Sequence, residues 1–90
     1  MDLDTLLLSV ALRHRIEDTD PAVALRRFEA VVGHAVDATA FAEAVARAVA
    51  AGDLYDPVRI PEGALQCRWA LEITPAGAAK VLARDREPPG

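Results

Sequence analysis

The sequence predicts a mostly α fold with a β-hairpin near its carboxyl end, an α+β architecture. Apolar residues recur at steps of three and four through the first half, the spacing of amphipathic helices. After about residue 54 the spacing changes to two, which is typical of a strand with one buried face. Aromatic residues make up only 4% of the chain. The core must therefore consist largely of Ala, Val and Leu, which favours closely packed helices.

The length and composition indicate one small soluble domain. A chain of 90 residues is too short for several hydrophobic cores. Hydrophobic residues are 52% and charged residues 27% of the total, as in ordinary globular proteins. We predict a single domain over residues 1–84 and a flexible tail over residues 85–90, which ends in two prolines and a glycine.

The first helix is predicted over about residues 4–16. Its apolar face carries Leu3, Leu7, Val10 and Ala11. The first helix is expected to end there and a second to begin, because Asp20 can cap a helix and Pro21 suits a first helical turn. The second helix then continues to about residue 32, with Leu25 and Phe28 on its apolar face.

The third helix follows after a very short turn. Gly33 can take the left-handed conformation that ends a helix, and Asp37 stands at the next cap position. Val36 and Phe41 are placed to form a hydrophobic staple. The helix is predicted over about residues 38–51, and its buried stripe carries Phe41, Ala44, Val45, Ala48 and Val49. Two helices joined in this way form a helix-turn-helix unit.

The hairpin and a last helix complete the predicted fold. Pro57 restricts the first strand to an edge or a bend, and residues 61–63 form the turn. The inner face of the first strand carries Leu54, Val58 and Ile60. The inner face of the second strand carries Leu65, Cys67, Trp69, Leu71 and Ile73. Thr74 and Pro75 then begin the last helix by the same cap and first-turn logic.

The order of three helices, a hairpin and a helix resembles that of a winged helix-turn-helix domain. Residues 46–55, ARAVAAGDLY, resemble the step from the third helix into the wing in winged-helix regulators of the MarR and PadR type. Residues 71–77, LEITPAG, are similar to the L-T-x-x-G segment that leaves the wing in those families. The resemblance spans about residues 3–84. It implies that the third helix lies in the DNA major groove and that the wing touches the backbone or minor groove.

The charges oppose that use of the third helix. The formal net charge is −4, which disfavours attraction to polyanions. The outward face of the helix is expected to show Ala40, Glu43 and Arg47, whereas base edges are read by basic and amide or hydroxyl side chains. Glu43 stands four residues before Arg47, the orientation of an intrahelical ion pair, and it repels phosphate.

Few other residues are available for phosphate contacts. The candidates are Arg26, Arg27, Arg59 and Arg68. A firm grip on duplex DNA neutralises roughly six to ten phosphates, so only a symmetric dimer would supply enough cations. Tyr55, on the opposite side of its strand from Leu54, is a further candidate for contact with a partner or DNA.

The residues needed for catalysis or metal binding are not assembled. The only serine, Ser9, lies inside the first helix, without a base and an orienting partner. His14 and His34 have no cysteine or carboxylate at zinc-like spacing, and Cys67 is expected to be a small buried hydrophobe. We therefore predict no catalytic residues, no metal, no cofactor and no enzymatic activity.

Two apolar features admit a structural and a partner-binding interpretation. Trp69 is expected to seal the hairpin against the helices, the alternative being an exposed anchor at an interface. The first helix is apolar on more than one side, so its excess either packs under the other helices or forms a dimer seam. The predicted core comprises Phe28, Phe41, Val45, Val49, Leu65, Cys67, Trp69 and Leu71.

These observations favour a non-catalytic winged-helix module that acts through protein contacts, as a small subunit, an adaptor or a self-associating domain. The partner would be another protein or a homodimer mate. The alternative is a dimeric DNA-binding transcriptional regulator, which the fold analogy and the arginines favour. The acidic amino terminus is unlike a leader peptide and the lone cysteine cannot form an internal disulfide, so we expect a cytoplasmic protein without membrane contact.

Overall fold

A computed structural model describes residues 2–59 and 68–86, with only the backbone described at residues 59, 85 and 86. The elements are α1 (Leu3–Arg13), β1 (Ile16–Asp18), α2 (Pro21–Val32), α3 (Ala38–Ala50), β2 (Val58–Arg59), β3 (Arg68–Leu71) and α4 (Pro75–Arg86). The prediction of a mostly helical α+β protein with an antiparallel pair of strands is confirmed. The helix α4 continues to Arg86, and residues 87–90 of the predicted tail lie outside the described part.

Aspartate side chains begin three of the helices. The carboxylates of Asp20 and Asp37 accept hydrogen bonds from the backbone N–H groups of Ala22 and Ala40, each at 2.9 Å. Asp2 does the same for α1. These bonds satisfy backbone donors that have no partner inside a helix. At the other end of α2, Gly33 has a φ of 83° and closes the helix in the left-handed conformation, as predicted.

In the part of the chain that the structure describes, the sheet has one strand more than the sequence predicts. Its three antiparallel strands lie in the order β1-β3-β2, and Ile16 in β1 is opposite Leu71 in β3. The predicted first helix extended to residue 16, which is wrong, because α1 ends at Arg13 and Ile16 is buried in the sheet. A strand of three residues is too short to show a period of its own, so the sequence pattern places Ile16 in the preceding helix.

Three aromatic rings join the helices to the sheet. The ring centroid of Phe28 lies 5.0 Å from that of Phe41, and Phe41 lies 5.7 Å from Trp69. Phe28 and Leu7 are fully buried, and Trp69 is 9% exposed, so Trp69 faces the core. Around them pack other members of the core, including Val45 and Leu71, with the partly buried Val49 beside them. Leu65 and Cys67, also predicted for the core, lie outside the described residues.

The edge strand departs from the predicted pattern. Val58 was expected on the buried side of the hairpin, but it is 57% exposed. It lies opposite Trp69 in β2, one of the two edge strands, whereas α2 packs against the other edge strand, β1, and against β3. The inward-facing row of the sheet therefore extends beyond the helices that cover it. Leu54 is buried and forms a bridge with Ile73, while Ile60 lies outside the described part.

A tight corner joins the end of α3 to the start of α4. The hydroxyl of Thr74 donates to the carbonyl of Gly52 at 2.6 Å and accepts from the N–H of Gly77 at 3.1 Å. The N–H of Thr74 donates to the carbonyl of Asp53 at 3.0 Å. A Cβ on Gly77 would lie 2.2 Å from that same carbonyl oxygen, so only glycine fits here without a shift. The corner thus joins residues of the two segments, 46–55 and 71–77, on which the resemblance rests.

Candidate interaction surface

The outward face of α3 has two side chains, Thr39 and Arg47, that could donate hydrogen bonds to a nucleic acid. Its exposed residues are Ala38, Thr39, Ala42, Glu43, Ala46, Arg47 and Ala50. Ala40, predicted on this face, is partly buried instead. Away from Arg47, which leans toward α1, the exposed face carries alanine, one hydroxyl and the carboxylate of Glu43. We call this row, Ala38, Thr39, Ala42, Glu43, Ala46 and Ala50, the α3 face.

Arg47 does not pair within its own helix. Its Nη2 and Nε donate to Oδ1 of Asp4 at 2.9 and 3.3 Å, across the contact between α1 and α3. The predicted pairing with Glu43 is therefore wrong. Asp4 lies in the first turn of α1. Its carboxylate binds Arg47 in place of the Glu43 carboxylate. The best candidate for reading bases thus lies in an ion pair with Asp4, in which the two side chains are 57% and 55% exposed.

Two other arginines among the predicted DNA-facing residues also pair with carboxylates. Arg27 lies 3.4 Å from Asp18, and Arg68 contacts Glu17, which also pairs with Arg15. Exposed pairs of this kind contribute only about 0–1 kcal/mol to stability. Their main effect is on the surface charge, because each offsets a cation that a phosphate would require. Arg26 is exposed on α2, and the side chain of Arg59 lies outside the description.

The Asp18 carboxylate is also bound by the backbone. The backbone N–H of Asp20 donates to its Oδ1 at 3.1 Å. That bond is the main reason that the pKa of Asp18 lies below its ordinary 3.8, and the nearby Arg27 guanidinium lowers the pKa further. Asp18 therefore stays ionised and continues to bind Arg27 in moderately acidic solution.

The low pKa of Asp18 predicts a pH-dependent contribution to stability. Because the folded pKa is lower than the unfolded one, the ionised carboxylate stabilises the protein above about pH 3.8. We expect Asp18→Asn to be less stable than the wild type at pH 7 in thermal unfolding. The difference should shrink as the pH falls through the folded pKa. An unchanged difference between neutral pH and pH 2 would contradict the prediction.

No family model, curated protein or solved structure matches this chain.

Among the described residues, the exposed large apolar side chains are Val58, already noted on β2, and three others. Tyr55 is 45% exposed beside β2, and Val31 and Leu82 are 40% and 44% exposed on α2 and α4. The surplus apolar residues of α1 are mostly used inside the fold: Leu6 and Leu8 pack against the core. This favours internal packing over a dimer seam as the explanation for the apolar first helix.

The described residues also limit other kinds of site. In residues 2–59 and 68–86, no group of three or more His, Cys, Asp or Glu side chains is placed to hold a metal ion. Within the same ranges, no helix has the length and apolar character required to cross a membrane.

One buried ionic contact was not predicted. Asp53, in the turn after α3, is only 6% exposed, and its Oδ2 accepts from Nζ of Lys80 at 2.9 Å. The two residues are 27 positions apart, so sequence spacing gave no signal. The one available hint is composition, since Lys80 is the only lysine in the chain.

Proposed function

We propose that this protein is a non-catalytic winged-helix module that acts through protein contacts at the α3 face. Three helices, a short turn between two of them, an antiparallel hairpin and a following helix support the winged-helix assignment. The corner between Gly52 and Thr74 supports it further, because the two segments that resemble winged-helix regulators meet there.

The character of the α3 face carries the proposal. In a DNA-binding use of this fold, the exposed row would present donors to base edges and cations to phosphates. Here four alanines at successive turns stand beside Glu43, and Arg47 is bound to Asp4. Alanine loses no side-chain entropy when it is buried, and its small size allows another backbone to approach closely. Such a face suits a protein surface better than a polyanion.

A dimeric DNA-binding regulator is the second candidate. One observation favours it: the side chains of Arg27, Arg47 and Arg68 are 58%, 57% and 49% exposed within their ion pairs. Pairs so open to solvent are weak, so a phosphate could replace the carboxylate. Arg26, exposed on the same helix as Arg27, would add a third cation.

A charge placed on the α3 face tests the leading proposal. We expect the wild type to self-associate in size-exclusion chromatography with light scattering, or to retain a specific partner in affinity capture. Ala46→Arg should abolish that association, because a long cation would be buried at the contact. Ala79→Arg, on an exposed position of α4, is the matched control and should leave it intact. A monomeric wild type with no partner sensitive to Ala46→Arg would overturn the proposal.

The same proteins test DNA binding. Fluorescence anisotropy with a labelled duplex at low salt should show no binding by the wild type. Binding that weakens steeply with salt and is reduced by Arg26→Ala would support the regulator instead.

A further inference from the structure

The single lysine of the chain compensates a buried carboxylate. The side chain of Lys80 is 58% exposed, whereas that of Asp53 is 8% exposed. Nζ of Lys80 lies 2.9 Å from Oδ2 of Asp53. The Lys80 side chain is thus reached by solvent along much of its surface, while its partner is enclosed between the end of α3 and α4. This contact differs from the pairs of Arg27 and Arg68 in its carboxylate, because Asp18 and Glu17 are each 21% exposed.

Asp53 depends on this lysine more than an exposed carboxylate would. Its Oδ1 is buried and has no hydrogen-bond partner in the described residues. Other charged groups line the clefts on either side of Asp53, but Arg47 is bound to Asp4, and Arg84 donates to the hydroxyl of Thr5. Lys80 is therefore the cation in direct contact with the Asp53 carboxylate. Loss of its charge would leave a buried anion without a counter-charge.

The backbone of Asp53 is part of the corner that holds α4. Its carbonyl accepts from the N–H of Thr74 and lies against Gly77. A shift of Asp53 toward solvent would therefore disturb the hydrogen bonds that begin α4. The charge of one exposed side chain is thereby coupled to the position of a whole helix.

We propose that Lys80 is an acylation site and that its acylation loosens the corner between α3 and α4. The acyl donor is an acyl phosphate. The ammonium first gives a proton to solvent; the amine nitrogen then attacks the acyl carbon, the carbon–oxygen bond to phosphate breaks, and inorganic phosphate leaves. The nitrogen loses a second proton and becomes a neutral amide. The inference is independent of the proposed protein contact at the α3 face.

Acetyl phosphate and mass spectrometry test the site directly. The only other amine of the unmodified chain is its amino terminus, which serves as the internal reference. We expect peptide mapping to show acetyl-Lys80. We then compare the acetylated and unmodified proteins by urea unfolding, monitored by the fluorescence of the single tryptophan. The unfolding equilibrium constant should be at least about tenfold higher for the acetylated protein. An unmodified Lys80 beside a modified amino terminus, or an acetylated protein of unchanged stability, would overturn the proposal.

Charge variants separate the counter-charge from other effects of the modification. Lys80→Gln should reproduce the tenfold effect, and Lys80→Arg should retain most of the wild-type stability. In an Asp53→Asn background, Lys80→Gln should have little effect, because a neutral amide needs no counter-charge. Equal effects of Lys80→Gln in both backgrounds would refute the role of Asp53. If Asp53→Asn does not fold, equal stability of Lys80→Gln and Lys80→Arg refutes it instead.

Discussion

Phe28→Ala should lower the free energy of unfolding by about 3–5 kcal/mol. Phe28 is fully buried in the middle of α2, and its ring contacts Phe41, which in turn contacts Trp69. The substitution removes the aromatic contact between α2 and α3 and leaves a cavity that the sheet cannot fill without moving. Small domains have a total stability of about 5–15 kcal/mol, so this one change would remove a large share of it.

Urea unfolding at neutral pH measures that loss. Val31→Ala is the matched control, because Val31 lies on the same helix and is 40% exposed. We expect the control to cost about 0.5 kcal/mol or less. Because Trp69 packs on Phe41, its fluorescence should also shift toward that of exposed tryptophan in Phe28→Ala before unfolding begins. A cost below about 1 kcal/mol would show that the aromatic cluster does not hold the helices to the sheet.

Gly77→Ala should destabilise the protein by about 1–3 kcal/mol, although alanine is the better helix former by about 1 kcal/mol. The new Cβ would lie 2.2 Å from the carbonyl oxygen of Asp53 and 2.9 Å from Cγ1 of Ile73. The carbonyl belongs to the backbone and accepts from Thr74, so it cannot turn aside as a flexible side chain would. The start of α4 must shift instead.

Gly33→Ala is the control for this prediction. Gly33 has a φ of 83°, but nothing lies within 4 Å of its Cβ position, so alanine there meets backbone strain without a clash. The expected cost in unfolding free energy is about 1 kcal/mol. In thermal unfolding, Gly77→Ala should therefore have a lower melting temperature than Gly33→Ala. A Gly77→Ala protein as stable as the wild type would mean that the corner is loose.

Local signals predicted the helical elements well. The cap positions of Asp20 and Asp37, and the left-handed Gly33, depend on residues within four positions of each other, so they are visible in the sequence. The pairing of β2 with β3 was also predictable, because alternation and a turn signal lie in one continuous segment. The strand β1 was not, since its partner β3 is about fifty residues away and its own three residues show no period.

The surface chemistry was less predictable for the same reason. The spacing of Glu43 and Arg47 suggested a local pair, but the fold brings Asp4 to Arg47 from 43 positions away. Lys80 and Asp53 likewise meet only after α4 packs against the turn after α3. Which charges remain available to a partner is thus decided by contacts between elements, and these are not visible in the spacing of one helix.

The position of β1 between the first two helices also governs how this chain can fold. Ile16 pairs with Leu71, and Asp18 with Trp69, so each bond of this ladder closes a loop of more than fifty residues. Contacts between such distant positions slow folding relative to a bundle of helices with local contacts. At translation rates of about 5–20 residues per second, α1 and β1 leave the ribosome seconds before β3 and α4 exist. The amino-terminal helix can pack on α3 earlier, but its contact with α4 must wait for the last third of the chain.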